Sequence, residues 1–369
     1  MLRACSIHIK NVFRLRQLLS SQLVCKDKER ADPEWQKPSK HLLTHRGSPP
    51  TMISDVMIDL PDRFAVMRKQ ESTIYRAEDY LSQATQMHQQ QHRPSPSSDD
   101  SNSSTPGVNE VWREKICEWS YQVVDHFDFN REIVSISLSY LDRFLSTRPV
   151  NKKIFQLAAM TTLYLAIKLN EQGTLKMSSL IELSRGYFMV EHIAAMEEAI
   201  LRALSWYVHP PTSLAFVRHL LMLIPSGSCS GIVKHELLEL ARFLTELAVC
   251  DYYFVTRKPS SIALAAVLNA MDGMSSSRLP EDVRQRFVES VRFVAGLDCD
   301  NAEVEECQVR LRDMYFQGGY YQNHQESPKE HDGVTYDEDF QRSSPVCVGD
   351  VHQGQPINHP QSSQYFNSH

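Results

Sequence analysis

The sequence predicts an all-α protein made of two consecutive five-helix blocks, each wrapped around a buried central helix. Three observations carry this reading. Residues Ile154 to Ile167 run Ile-Phe-Gln-Leu-Ala-Ala-Met-Thr-Thr-Leu-Tyr-Leu-Ala-Ile without one charge. A helix needs a polar face only where it meets water, so this one is expected to be buried all round. It is too short, and too rich in Gln and Thr, to cross a bilayer, which takes roughly 20 apolar residues. Around it, apolar residues recur at helical spacing, and no apolar/polar alternation marks a strand.

In the first block, Trp112, Ile116, Trp119, Val123 and Phe127 form one helical stripe. Ile133, Ile136, Tyr140, Leu141 and Phe144 form a second, and the charge-free hub is third. A short fourth helix is predicted at 178–183, with Gly173 and Gly186 as breaks on either side. The fifth, at 190–204, places Ile193, Met196, Ile200 and Leu204 on one face. Pro210-Pro211 then interrupts the chain.

The second block repeats this plan, with stripes at 214–223, 237–249, 262–271, 283–294 and 302–315. Its third stripe is again free of charge. Leu141 to Arg148 resembles Cys250 to Arg257 at an offset of 109 residues, and Leu157-Ala158-Ala159 resembles Leu264-Ala265-Ala266 at 107. Small Ala pairs let neighbouring helices approach a hub closely, so the echo has a packing reason.

The expected organisation is a disordered tail over 1–58, a helical segment over 59–81 and a flexible linker over 82–109. The two blocks follow at 110–209 and 210–317, then a second disordered tail at 318–369. The linker holds Gln89-Gln90-Gln91, Pro94-Ser95-Pro96 and Ser97-Ser98-Asp99-Asp100, too polar to bury a core. Residues 1–24 carry Arg3, Lys10, Arg14 and Arg16 and no acid, which suits either a plain tail or a mitochondrial presequence.

Composition narrows the function classes. The net charge of −6 argues against a nucleic-acid binder. Only 13 of 369 residues are Gly, and no Gly-rich phosphate loop occurs. The eight cysteines form no C-x-x-C, which reads as a reduced intracellular protein. His41 with His45, and His88 with His92, have metal-like spacing but no third ligand nearby, so no metal and no cofactor are expected. No nucleophile–base constellation suggests an enzyme.

Two pairs of charges remain. Arg113 and Asp142 sit beside apolar stripes. They are either solvated flanking residues or a buried pair locking the first helix to the second, since buried charges are tolerated only when paired. Lys168 and Glu171 end the hub, where a lysine is already favoured by the helix dipole. Glu197, within Ala195-Met196-Glu197-Glu198-Ala199, reads as solvated in isolation.

Several of these segments, in this order, resemble the cyclin family over about two thirds of the chain. The family's Met-Arg-Ala-Ile-Leu-Val-Asp-Trp stands here as Trp112 to Trp119, and its Tyr-Ile/Leu-Asp-Arg-Phe-Leu as Tyr140 to Leu145. Its Ala-Ser-Lys-Phe-Glu-Glu stands as Ala166 to Glu171, and its Met-Glu as Met196-Glu197. The resemblance implies two tandem five-helix cyclin folds with an N-terminal helix. It implies that Arg113 and Asp142 are the family's internal ion pair. It also implies that Lys168 and Glu197, with Glu171 and the hub residue Leu157, serve binding of a cyclin-dependent protein kinase. The protein would be a regulatory subunit, not an enzyme, in the nucleus and cytoplasm. Kinase substrates or inhibitors are further implied partners, with no nucleic acid and no membrane. A cyclin-fold transcription-associated factor is the alternative.

Two departures matter. Glu114 and Lys115 replace the family's Ala-Ile, which puts the Arg-x-Leu docking patch in doubt and makes the box more similar to D-type, G1-like cyclins. No Leu-x-Cys-x-Glu occurs. Ser48-Pro49, Ser95-Pro96, Thr105-Pro106, Ser327-Pro328 and Ser344-Pro345 are candidates for proline-directed phosphorylation.

Overall fold

A computed structural model describes residues 59–83 and 108–317, and every regular element among them is helical. The expected tails, residues 84–107 of the expected linker, the Ser/Thr-Pro sites and both His pairs lie outside the described residues. The chain opens with α1 (Leu60–Ser72). The first block contains α2 (Glu110–His126), α3 (Glu132–Leu145), α4 (Lys152–Asn170), α5 (Met177–Leu183) and α6 (Val190–Ala203). The second contains α7 (Ser213–Met222), α8 (Gly231–Cys250), α9 (Pro259–Asp272), α10 (Glu281–Ser290) and α11 (Ala302–Gln317). A 3₁₀ turn, Tyr252–Phe254, follows α8, and a π turn, Val291–Ala295, follows α10.

Local chemistry starts these helices where it should. Asn109, Asn151, Thr212 and Ser230 each turn a side-chain oxygen onto a first-turn backbone N–H, satisfying a donor the helix leaves orphaned. Pro61 and Pro259 occupy first-turn positions, where the missing N–H costs nothing.

The hub is buried as expected. On α4, Phe155 to Leu163 and Leu165 to Ile167 are all buried. The buried hydroxyls of Thr161 and Thr162 donate to the carbonyls of Leu157 and Ala159 at 2.7 and 2.9 Å, so neither is left unsatisfied. The second hub, α9, is buried from Ser260 to Val267 and at Ala270 and Met271. Leu157 and Leu264 fall six residues after their respective N-caps, Asn151 and Lys258, so this half of the repeat is also structural.

The other half diverges. Leu141 to Leu145 stay helical, whereas the chain leaves α8 at Cys250. Asp142 and its counterpart Asp251 nevertheless both hold an arginine. Asp142 takes Arg113 of α2, and Asp251 takes Arg310 of α11 at 2.8 Å. Asp251 also accepts from the Tyr253 N–H at 3.0 Å, which tightens the exit into the 3₁₀ turn.

The N-terminal segment corrects the sequence reading. The helical segment expected over 59–81 is two pieces: α1 stops at Ser72, and a further helical turn occupies 80–83. Ser72 and Thr73 donate their hydroxyls back to the carbonyls of Arg68 and Lys69, and Ile74 adds a second β-branched residue, all of which disfavour continuation. The two parts then serve different blocks. Leu60 and Phe64 join the core of the second block, where Phe64 stacks on Phe216 at 6.4 Å. Tyr80 joins the core of the first. Burying Leu60 and Phe64 stabilises the docked α1 by about 1.5–3 kcal/mol each.

Polar contacts fasten α1 at its far end. Glu71, 4% exposed, accepts from the backbone N–H and hydroxyl of Ser260 at 2.8 and 2.6 Å. This sets a carboxylate on the N-terminus of α9, where the helix dipole favours it. Arg68 donates to the Ala295 carbonyl at 3.2 Å. Beside it, Gly296 has φ +61°, a left-handed conformation that favours glycine, and a Cβ there would come within 2.6 Å of the Arg68 guanidinium, which would have to swing aside. The blocks themselves are joined by Arg131–Glu246 at 2.9 Å and Glu132–Arg218 at 2.7 Å.

Candidate functional site

The first candidate pair is the buried one. Arg113 donates from Nε and Nη2 to the two Asp142 carboxylate oxygens, both at 2.8 Å, the two-pronged match that guanidinium and carboxylate geometry allows. The residues are 3% and 4% exposed. Of the two readings the sequence left open, the structure has the pair. Burial alone would push the guanidinium down, but the Asp142 charge and hydrogen bonds outweigh it and hold Arg113 above its ordinary value.

Three further groups complete this junction. The Arg113 Nη1 donates to the Val249 carbonyl of α8 at 2.8 Å, crossing from the first block to the second. Tyr80 donates its hydroxyl to Asp142 at 3.0 Å. Burial and the Asp142 charge both push that phenol well above its usual value, so it stays protonated as a donor. Tyr252 packs edge-on against Tyr80 at 5.3 Å and donates to Asp79 at 3.0 Å. One ion pair thereby ties together α2, α3, α8 and the N-terminal segment.

The second candidate pair is exposed. Lys168, at the end of α4, reaches Glu197 in the middle of α6 at 2.7 Å. Their side chains are 50% and 17% exposed. The Glu197 hydrogen bond holds the ammonium above its ordinary value. A pair this open contributes only about 0–1 kcal/mol to stability. Lys168 stands at the end of a helix buried over its middle, so its position is fixed although the fold barely depends on the pair. Leu169, 41% exposed, lies beside it.

The other two expected partner-binding residues have contacts of their own. Leu157 is 7% exposed and packs within the first core, so any part it plays in binding is to position α4 from inside. Glu171 accepts from the Asn130 backbone N–H at 2.8 Å and ties the end of α4 to the loop before α3. At the start of α2, Trp112 is half-buried, edge-on to Phe155 at 6.3 Å, with the Lys152 ammonium 4.6 Å from the ring centroid.

Sequence reasoning missed Tyr80, Val249 and the Glu71–Ser260 contact. Tyr252 carried a signal, since it lies inside the repeated segment. The Val249 contact is a backbone carbonyl and has no sequence signature. Among the described residues no helix is long and apolar enough to cross a membrane.

Two tandem all-helical folds, each around a hub whose central stretch carries no charge, the first locked by the buried Arg113–Asp142 pair, define the class of this protein. Residues 82–209 match the family model for the cyclin N-terminal domain, and residues 211–338 match that for the cyclin C-terminal domain. The chain belongs to the cyclin family, whose members are regulatory subunits and not themselves enzymes. It is similar to G2/mitotic-specific cyclin-B2 of Oryzias luzonensis, 31% identical over 43% of this chain and 40% of the relative. It is also similar to cyclin-B1-2 of Arabidopsis thaliana, 29% identical over 58% of this chain and 44% of the relative. The chain therefore spans about two fifths of the length of these curated relatives. Among solved structures, a viral cyclin from herpesvirus saimiri aligns at 18% identity and a TM-score of 0.46, covering 57% of this chain and 87% of that one.

Proposed function

We propose that this protein binds a cyclin-dependent protein kinase through the surface carrying Lys168 and Glu197 and activates it allosterically. The observation that carries the reading is the exposed Lys168–Glu197 bridge at 2.7 Å between α4 and α6, at the end of a helix whose middle is buried. A docked kinase exchanges those charges and packs against Leu169, while the block beneath does not move. Such a surface holds the kinase's regulatory helix and orders its activation segment. That brings the kinase's Lys–Glu pair and metal-binding Asp into register. The cyclin itself makes and breaks no bond.

The finer reading, G1-like control, rests on Glu114 and Lys115 alone, and the relatives reported above are B-type. Nuclear and cytoplasmic location is part of the same proposal. Affinity purification of the full chain from its own cells, with mass spectrometry of the associated kinases, tests it. A cyclin-dependent kinase should co-purify with protein-kinase activity. Recovery of the chain with no kinase would overturn the reading.

A further inference from the structure

Cys117 on α2 and Cys250, the last residue of α8, bring their Sγ atoms to 3.1 Å across the boundary between the two blocks. Both are thiols. They are 133 positions apart in sequence, and Cys250 contributes to the core of the first block although α8 belongs to the second. The placement is held from both sides. One turn before Cys117, Arg113 donates to the carbonyl of Val249, the residue preceding Cys250. One turn after it, Tyr121 donates to the carbonyl of Glu246, four residues before Cys250, at 3.4 Å. Arg113, Cys117 and Tyr121 thus form a single face of α2 laid along the end of α8. These bonds hold the two backbone segments that carry the cysteines side by side. A disulfide requires them to close to about 2.05 Å, a small movement from where they stand.

We propose that Cys117 and Cys250 are an oxidisable pair that forms a disulfide joining the two cyclin folds when the protein meets a hydroperoxide. Cys250 is 7% exposed and Cys117 is 0% exposed, so the oxidant reaches Cys250 first. Its sulfur, as the thiolate, attacks one peroxide oxygen. The O–O bond breaks, water leaves after taking up a proton, and Cys250 becomes a sulfenic acid. The Cys117 sulfur then attacks the Cys250 sulfur, the S–O bond breaks, and a second water leaves with the Cys117 proton. Two thiols and one hydrogen peroxide give one disulfide and two waters, the two electrons passing from sulfur to peroxide. A dithiol reductant restores the pair by exchange. The covalent link adds to the hydrogen bonds that tie α2 to α8, and it fixes the relation of the two blocks independently of kinase binding.

The experiment uses the folded full-length chain treated with hydrogen peroxide, quenched with an alkylating agent and digested without reduction. Mass spectrometry should find one cross-linked peptide pair containing Cys117 and Cys250, about 2 Da lighter than the two thiol peptides together. The pair should vanish after dithiothreitol, and peroxide should raise the melting temperature of the wild type but not of Cys250→Ser. Circular dichroism of Cys250→Ser and of Cys117→Ser checks that each folds, and either one suffices as the control. The inference is overturned if both cysteines are recovered alkylated, or if Cys250 runs on to the sulfinic acid with Cys117 intact. It is equally overturned if another cysteine pair cross-links instead, or if this one forms only in urea-unfolded protein.

Discussion

The guanidinium of Arg113 and the carboxylate of Asp142 meet through two 2.8 Å hydrogen bonds inside the protein, at the point where both blocks and the N-terminal segment converge. The pair gains little from being ionic, because desolvating two charges costs about as much as their attraction returns. Its importance lies in what is left if one partner goes. Arg113→Ala strands a buried carboxylate and loses the bond to Val249. Urea unfolding should show a loss of about 3–5 kcal/mol. An unchanged unfolding midpoint would show that Asp142 is solvated after all.

Tyr80 supplies the third bond to that carboxylate, at 3.0 Å. Tyr80→Phe keeps the ring packed against Tyr252 and removes only the donor. The expected cost is about 1.5–3 kcal/mol, the range for a hydrogen bond to a charged group. In a double-mutant cycle with Asp142→Asn the two losses should be non-additive, since they share one oxygen.

Glu71 gives a pH signature. Burial raises its pKa above the ordinary 4.5, and the Ser260 bonds only partly offset this. The folded state therefore binds the proton more tightly than the unfolded chain does. As pH rises from about 4.5 toward the folded value, the unfolded state ionises first, and Glu71 takes stability away. Measured against pH, Glu71→Gln should gain on the wild type across that window and run parallel to it below. A wild type that gained on the variant as pH rose would reverse the sign and contradict the buried environment.

Gly296→Ala tests the seat of α1. The left-handed φ of +61° disfavours any side chain, and the added methyl displaces Arg68 from the Ala295 carbonyl. A loss of about 1–2 kcal/mol is expected from the backbone conformation alone. Proteolysis within α1 should accelerate in parallel.

The hubs were legible in the sequence because burial on all sides leaves a compositional mark: no charge from Ile154 to Ile167. The Arg113–Asp142 pair was half legible. A charge beside an apolar stripe can face water or a partner, and only the packing of α2 on α3 decides which. What the sequence hid was contact across distance. Phe64 would suit either block equally well by pattern, and its stacking on Phe216 assigns α1 to the second. Tyr80 reaches Asp142 from 62 positions away. The core position of Leu157 was legible from its apolar neighbours on α4.

On the proposed function, Lys168 and Glu197 serve a partner and not the fold. The direct measurement is kinase affinity of Lys168→Ala/Glu197→Ala, with its melting curve recorded on the same preparation. Binding should be lost while melting stays within the small change expected for an exposed pair, about 0–1 kcal/mol. A double variant that binds the kinase like the wild type, or one that unfolds, would contradict the account.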